Sequence, residues 1–308
     1  MNPEDLHLIH ELCKVHSPSG NEGPMKKYIL DYVAQNGQSW NTQPELIHGE
    51  EFQDCLILKF GNPRTAVFAH MDTIGFTVRY ENQLIPIGSP EAEDGFKLVG
   101  EDSMGPIECQ LKTDGNGNLF YDFGRGIQTG TELAFSCNFR ETEDFIESCY
   151  LDNRLGIFNC LKLAESLENG VIVFSCGEEH GGGTVPFLVK YIYENWEIKQ
   201  ALISDITWVT EGVKHGEGVA ISMRDMSVPR KSFVEKIIAL AENSGVKYQL
   251  EVERSGGSDG REIQASPYPI DWCFIGAPEN KVHSPDEKVH LADIEAMVEL
   301  YSYLLRNL

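Results

Sequence analysis

Four apolar runs in this sequence lead into residues that bind metals or carry protons. Ala66-Val67-Phe68-Ala69 is followed by His70-Met71-Asp72, the run from Val171 to Cys176 by Gly177-Glu178-Glu179, and Ala201-Leu202-Ile203-Ser204 by Asp205. Trp272-Cys273-Phe274-Ile275 leads, eight residues on, to His283-Ser284-Pro285. Ligands of open α/β sheets gather outside the carboxyl ends of the strands, so four strands would deliver these side chains to one edge. Histidines with several carboxylates form a nitrogen and oxygen donor set suited to zinc, cobalt or manganese. A lone His70 would more often be structural, and a lone acidic strand end usually caps a helix or meets water. The coincidence is what points to a metal site.

The local spacings fit that chemistry. In His70-x-Asp72 the side chains lie on the same side of an extended backbone. Asp72 can then accept the second imidazole N–H and fix the ring tautomer. Glu178 and Glu179 are adjacent and diverge, so one can bind metal while the other acts as a base. Buried together without a cation they would repel one another. Asp152, in Leu151-Asp152-Asn153-Arg154-Leu155-Gly156, precedes an amphipathic helix and has two readings. It is an N-cap, or it bridges two ions about 3.5–4 Å apart.

The elements that must position these residues alternate in type. A helix capped by Asn2-Pro3 and a second one from Pro24 to a stop at Gly37 precede strands around Cys55–Leu58, Ala66–Ala69 and Ile74–Tyr80. Short alternating runs follow, separated by Gly, Asn and Asp, and Asp114-Gly115-Asn116-Gly117 is a hairpin signal. From Asn153 onward helices and strands alternate to a terminal helix over Leu291–Leu305. That pattern argues for an α/β sandwich with helices on both faces of a mostly parallel sheet. The expected organisation is a catalytic domain of residues 1–75 and 147–308, with residues 76–146 inserted as a small β-rich domain.

Composition narrows the partners. With 25 Lys and Arg against 48 Asp and Glu, the net charge of −23 argues against nucleic acid and anionic membrane. No apolar run approaches the about 20 residues a membrane helix needs, and the acidic N-terminal segment does not read as a signal peptide. The eight cysteines contain no C-x-x-C pair and read as free thiols of a reducing, cytoplasmic setting.

His70-Met71-Asp72-Thr73-Ile74-Gly75-Phe76, Leu151-Asp152-Asn153-Arg154-Leu155-Gly156, Glu178-Glu179-His180-Gly181, Asp205-Ile206-Thr207, Gly257-Ser258-Asp259 and Gly276-Ala277-Pro278 leading to His283-Ser284-Pro285 occur in this order. Together they resemble the glutamyl/deblocking aminopeptidase family, di-metal peptidases of the tetrahedral aminopeptidase type that often carry cellulase names. The resemblance covers nearly the whole chain. It implies a three-layer α/β/α sandwich of the zinc-peptidase kind. It further implies that Asp152 bridges two divalent ions, zinc or cobalt with manganese as a third choice. His70 and Asp205 would complete one site, and Glu179 and His283 the other. Glu178 would be the general base for a metal-activated water, and Asp72 would orient His70. The implied substrates are peptides with a free N-terminus. The implied assembly is a homo-oligomer, from a dimer up to a dodecamer, with the β insert shaping the oligomer and substrate access. The segment Glu279-Asn280-Lys281-Val282 departs from the Arg-Tyr-like pair of the family, and the chain is shorter than most members.

Three rival readings share these residues. A carboxypeptidase or an N-acyl amino-acid deacylase of the same broad fold would need an arginine near the metals, with Arg154, Arg224 and Arg261 as candidates. A non-catalytic metal-binding scaffold would be marked by loss of Glu178 or a ligand, and all are present.

Overall fold

The computed structural model describes residues 1–308. Asn2 caps the first helix as expected, its side chain accepting the Asp5 N–H at 2.8 Å, and α1 (Pro3–Lys14) buries Leu8, Ile9, Leu12 and Cys13. Helix α2 (Gly23–Asn36) and strands β1 (Glu45–Ile47), β2 (Leu56–Phe60) and β3 (Ala66–His70) follow. Strands β4 (Gly75–Val78), β5 (Gln83–Ile87), β6 (Lys97–Asp102), β7 (Gly105–Thr113), β8 (Leu119–Asp122) and β9 (Glu132–Phe135) close into a barrel. The chain returns through β10 (Arg140–Glu141), β11 (Phe145–Ser148), α3 (Leu151–Ala164), β12 (Gly170–Ser175), α4 (Val185–Trp196), β13 (Gln200–Trp208) and β14 (Val219–Arg224). It ends with α5 (Lys231–Ser244), β15 (Tyr248–Val252), α6 (Asp259–Ala265), β16 (Asp271–Asn280), β17 (Glu287–His290) and α7 (Leu291–Asn307).

At the centre of the large sheet β12, β3, β13 and β16 run parallel. β12 and β3 are buried at every position, as strands covered on both faces must be. Helices α3 and α7 pack on the central strands with α1 and α5 against them, while α4 and α6 pack together over β12, β3 and β16. The parallel order belongs to this centre. Towards the edges β2, β14 and β17 join it antiparallel, and β1, β11 and β10 extend it the same way.

Two strands run further than their apolar sequence predicts. β13 and β16 pair from Gln200↔Asp271 to Trp208↔Glu279, so Asp205 lies within a strand and not after one. A continuous backbone ladder outweighs the polar residues that seemed to end these runs. The barrel has its own core, including Phe76, Leu98, Leu111, Leu133 and Phe135. Its β7–β8 hairpin turns at the Asp-Gly-Asn-Gly stretch, where Asp114 accepts the N–H groups of Asn116 and Asn118. No helix is long and apolar enough to cross a membrane.

Candidate metal centre and its cavity

Parallel register sets the carboxyl ends of the central strands side by side: His70 pairs with Ser175, and Asp205 with Gly276. Asp152 arrives from the opposite direction, in a break at the start of α3 where it and Asn153 leave helical geometry. The N-cap reading of Asp152 is not realised. That duty falls to Asn153, whose Oδ1 accepts the Gly156 N–H at 2.9 Å while its amide donates to the Ser204 carbonyl at 2.9 Å. The Asp152 carboxylate is thereby left free to point at the strand ends.

The five residues expected to hold metal fall into two groups sharing Asp152: His70, Asp152 and Asp205, and Asp152, Glu179 and His283. Within each group the donor atoms lie within 4.8 Å of one another. Asp152 Oδ1 is 3.2 Å from His70 Nε2, and Oδ2 is 3.4 Å from His283 Nε2. His70 Nε2 is also 3.6 Å from Asp205, and His283 Nε2 is 3.0 Å from Glu179.

Asp72 has a wider role than its spacing suggested. The nearest acceptor for His70 Nδ1 is the Asp72 main-chain carbonyl at 3.2 Å, with the carboxylate at 3.5 Å. The carboxylate itself takes the Ser19 hydroxyl at 2.6 Å and the N–H groups of Glu178 and Glu179 at 3.1 and 3.0 Å. Asp72 therefore orients both the imidazole and the Glu178–Glu179 turn.

Further positioning groups carry little signal in the sequence. Glu287 is buried and spans both halves of the centre, accepting the His283 N–H at 3.0 Å and the Asp152 N–H at 3.2 Å. Only its closeness to the His-Ser-Pro stretch hinted at it. Ser89, from the segment leaving β5 of the barrel, lies with its hydroxyl 2.9 Å from His283 Nδ1. Next to it the Gly88 N–H donates to His180 Nδ1 at 2.9 Å, so the segment after β5 touches both the loop that follows β12 and the loop that follows β16.

Carboxylates outnumber imidazoles at the centre: Asp152, Glu178, Glu179 and Asp205 against His70 and His283. Burial and the neighbouring Asp152 push Glu179 up to about 7 and Asp205 up to about 6. Burial, reinforced by Asp205 and Glu179, holds Glu178 well above the usual carboxylate range. Burial opposes charge on His283, yet hydrogen bonds to Asp152 and Glu179 outweigh it and push the ring up to about 11. Glu179 Oε1 is buried without any hydrogen-bond partner. Carboxylates this crowded call for cations, and two imidazoles with three carboxylates are a donor set that fits divalent ions.

The centre opens into a cavity of about 260 Å³ lined by Glu178, the carboxylates of the ligand groups, Trp208, Phe274 and Val282 among others. None of the three arginines considered for a substrate-carboxylate clamp lines it. Arg154 is fully buried and committed to the Met71 carbonyl at 2.7 Å and the Ser17 hydroxyl at 2.6 Å, where it braces the loop after β3.

The sequence model of the M42 glutamyl aminopeptidase family matches residues 123–300. A protein of Acetivibrio thermocellus whose name assigns it an inferred aminopeptidase activity is 25% identical, with 97% of this chain and 98% of that protein covered. Among solved structures, an aminopeptidase from the archaeon Desulfurococcus kamchatkensis superposes with a TM-score of 0.86 at 22% identity, covering 99% of this chain and 95% of its own. A structure described as a dodecamer of PhTET1 gives a TM-score of 0.83 at 19% identity, with 99% of each chain covered. These structural likenesses establish the shared fold.

Proposed function

The chain belongs to the M42 glutamyl aminopeptidase family, and from that premise we propose that it hydrolyses the first peptide bond of peptides with a free N-terminus in the cavity above Asp152. The observation that carries this reading is the sharing of Asp152, whose two oxygens face different histidines. His70 and Asp205 would hold one ion, Glu179 and His283 the other, and Asp152 both. Zinc or cobalt suits these donors best, with manganese admissible. When bound, two such ions would supply Lewis acidity at the scissile carbonyl and lower the pKa of water towards neutrality.

The remaining steps belong to the chain's own side chains. Glu178 lines the cavity, and burial raises its carboxyl towards the range that suits a group taking up and giving back a proton. It accepts a proton from the attacking water and returns it to the leaving nitrogen as the C–N bond breaks. Asp72 holds the backbone of Glu178 and the ring of His70, which fixes the base relative to the ligand layer. The surplus of carboxylates favours a protonated α-amine at the same place, which confines cleavage to the chain end. Without an arginine on the cavity wall, the deacylase and carboxypeptidase readings have no partner for a substrate carboxylate.

The test uses free and N-acetylated aminoacyl-p-nitroanilides with metal-loaded protein. Free-amine substrates alone should be cleaved, and Glu178→Gln should lower kcat by about 10²–10⁴-fold. Cleavage confined to the acetylated substrates, or a fully active Glu178→Gln variant, would refute the reading. Self-association is part of the same proposal, supported by the exposed apolar residues Met223, Met226, Val228, Leu250 and Val252 around β14 and β15. A monomeric mass by light scattering would remove that part.

A further inference from the structure

The ligand layer occupies only part of the cavity. Beyond it the wall carries three more carboxylates, from Asp225, Glu251 and Glu253, and no lysine or arginine. Asp225 follows β14, while Glu251 lies near the end of the parallel neighbour β15 and Glu253 just after it.

Two of these carboxylates are built into the wall. Asp225 is 8% exposed, and one of its oxygens accepts the Ser227 N–H at 2.5 Å while the other has no hydrogen-bond partner. Glu251 is 2% exposed and accepts the Thr207 hydroxyl, with the Ser222 hydroxyl as a second neighbour. The cations next to them in sequence, Arg224 and Arg254, do not line the cavity, and Arg224 directs Nε to the Asp225 main-chain carbonyl at 3.2 Å. A carboxylate oxygen that faces the cavity with no donor from the protein is open to a cationic group placed there. Trp208, Phe274 and Val282 supply apolar wall beside them, which suits the methylene stem of a long cationic side chain.

We propose that this part of the cavity binds the side chain of the substrate's N-terminal residue and selects lysine or arginine. The inference rests on the aminopeptidase reading and goes beyond it, because the family's glutamyl label would call for a positive group where this chain has only carboxylates. A glutamate side chain placed there would meet carboxylates of its own sign, whereas an ammonium or guanidinium group would pair with them. Only one residue precedes the scissile bond in such a substrate, so a charged recess beside the ligand layer reads as its site.

The experiment compares kcat/KM for the lysyl, arginyl, leucyl and glutamyl p-nitroanilides with zinc-loaded protein. It is paired with calorimetric binding of L-lysinamide and L-leucinamide. Lysyl and arginyl substrates should exceed leucyl by about tenfold or more and glutamyl by about a hundredfold or more. Lysinamide should bind more tightly than leucinamide. Asp225→Asn and, separately, Glu251→Gln should cut the lysyl-to-leucyl ratio by about tenfold, the scale of one lost charge-assisted contact. Thermal melts of both variants report whether each folds. A leucyl or glutamyl preference in the wild type would overturn this inference and leave the aminopeptidase reading standing. An equal loss on all four substrates in the variants would do the same. Preference for Ala-Lys over Lys-Ala would overturn the assignment to the first residue. No turnover of any free-amine substrate would defeat the aminopeptidase reading, and this inference with it.

Discussion

At the scale of single residues, the candidate centre is governed by where its protons reside. Burial raises Glu179 to about 7 and Asp205 to about 6, and hydrogen bonds to carboxylates raise His283 to about 11 against the effect of burial. All three folded values lie above the ordinary ones, so without metal the folded chain binds more protons than the unfolded chain. The stability linked to His283 is complete below about 6.5 and is lost as pH rises towards its folded value. The raised carboxyls act with the same sign, favouring the fold at acid pH and losing that contribution between about 4 and 7. Asp152, held low by His283 and His70 although burial opposes it, titrates below this window. Metal binding displaces the protons, and its stabilisation grows with pH. The gap in melting temperature between zinc-loaded and metal-free protein should therefore be wider at pH 8 than at pH 5.5. A gap independent of pH would show that these side chains do not exchange protons for metal.

At the scale of elements, the start of α3 decides whether Asp152 reaches the strand ends. Gly156 is the residue that allows it: a Cβ there would lie 2.2 Å from the Ser204 carbonyl oxygen and 2.3 Å from Asn153 Oδ1. Alanine inside a helix ordinarily gains about 1 kcal/mol over glycine. Here the crowding should reverse the sign, and Gly156→Ala should destabilise by about 1–3 kcal/mol. A raised melting temperature in that variant would contradict the tight packing of α3 on β13. The sequence made α1, the β7–β8 hairpin and the buried strands legible through caps, turn residues and apolar runs, all of them local signals. It also marked His70, Glu178, Glu179, Asp205 and His283 as strand-end chemistry. Closure of β4 to β9 into a barrel depends on pairing between β4 and β9, far apart in the chain, and no local pattern encodes it. Ser89, Asp225 and Glu251 were equally silent, and Glu287 nearly so, because each acquires its place through contacts that only the assembled fold creates.

At the scale of the whole molecule, the parallel strands and the barrel serve one cavity. The central sheet supplies His70 and Asp205 from adjacent strands, the return from the barrel supplies Asp152, and the loops after β12 and β16 supply Glu178, Glu179 and His283. The barrel closes one side by setting Ser89 against His283 and Gly88 against His180. A net charge of −23 surrounds this arrangement and draws amine-bearing ligands towards it. The most direct test of the account is to titrate zinc into metal-free protein while following turnover of a free-amine aminoacyl-p-nitroanilide. Turnover should rise until two ions are bound per chain and then level off. A plateau at one ion, or turnover already complete without added metal in chelator-treated protein, would contradict it.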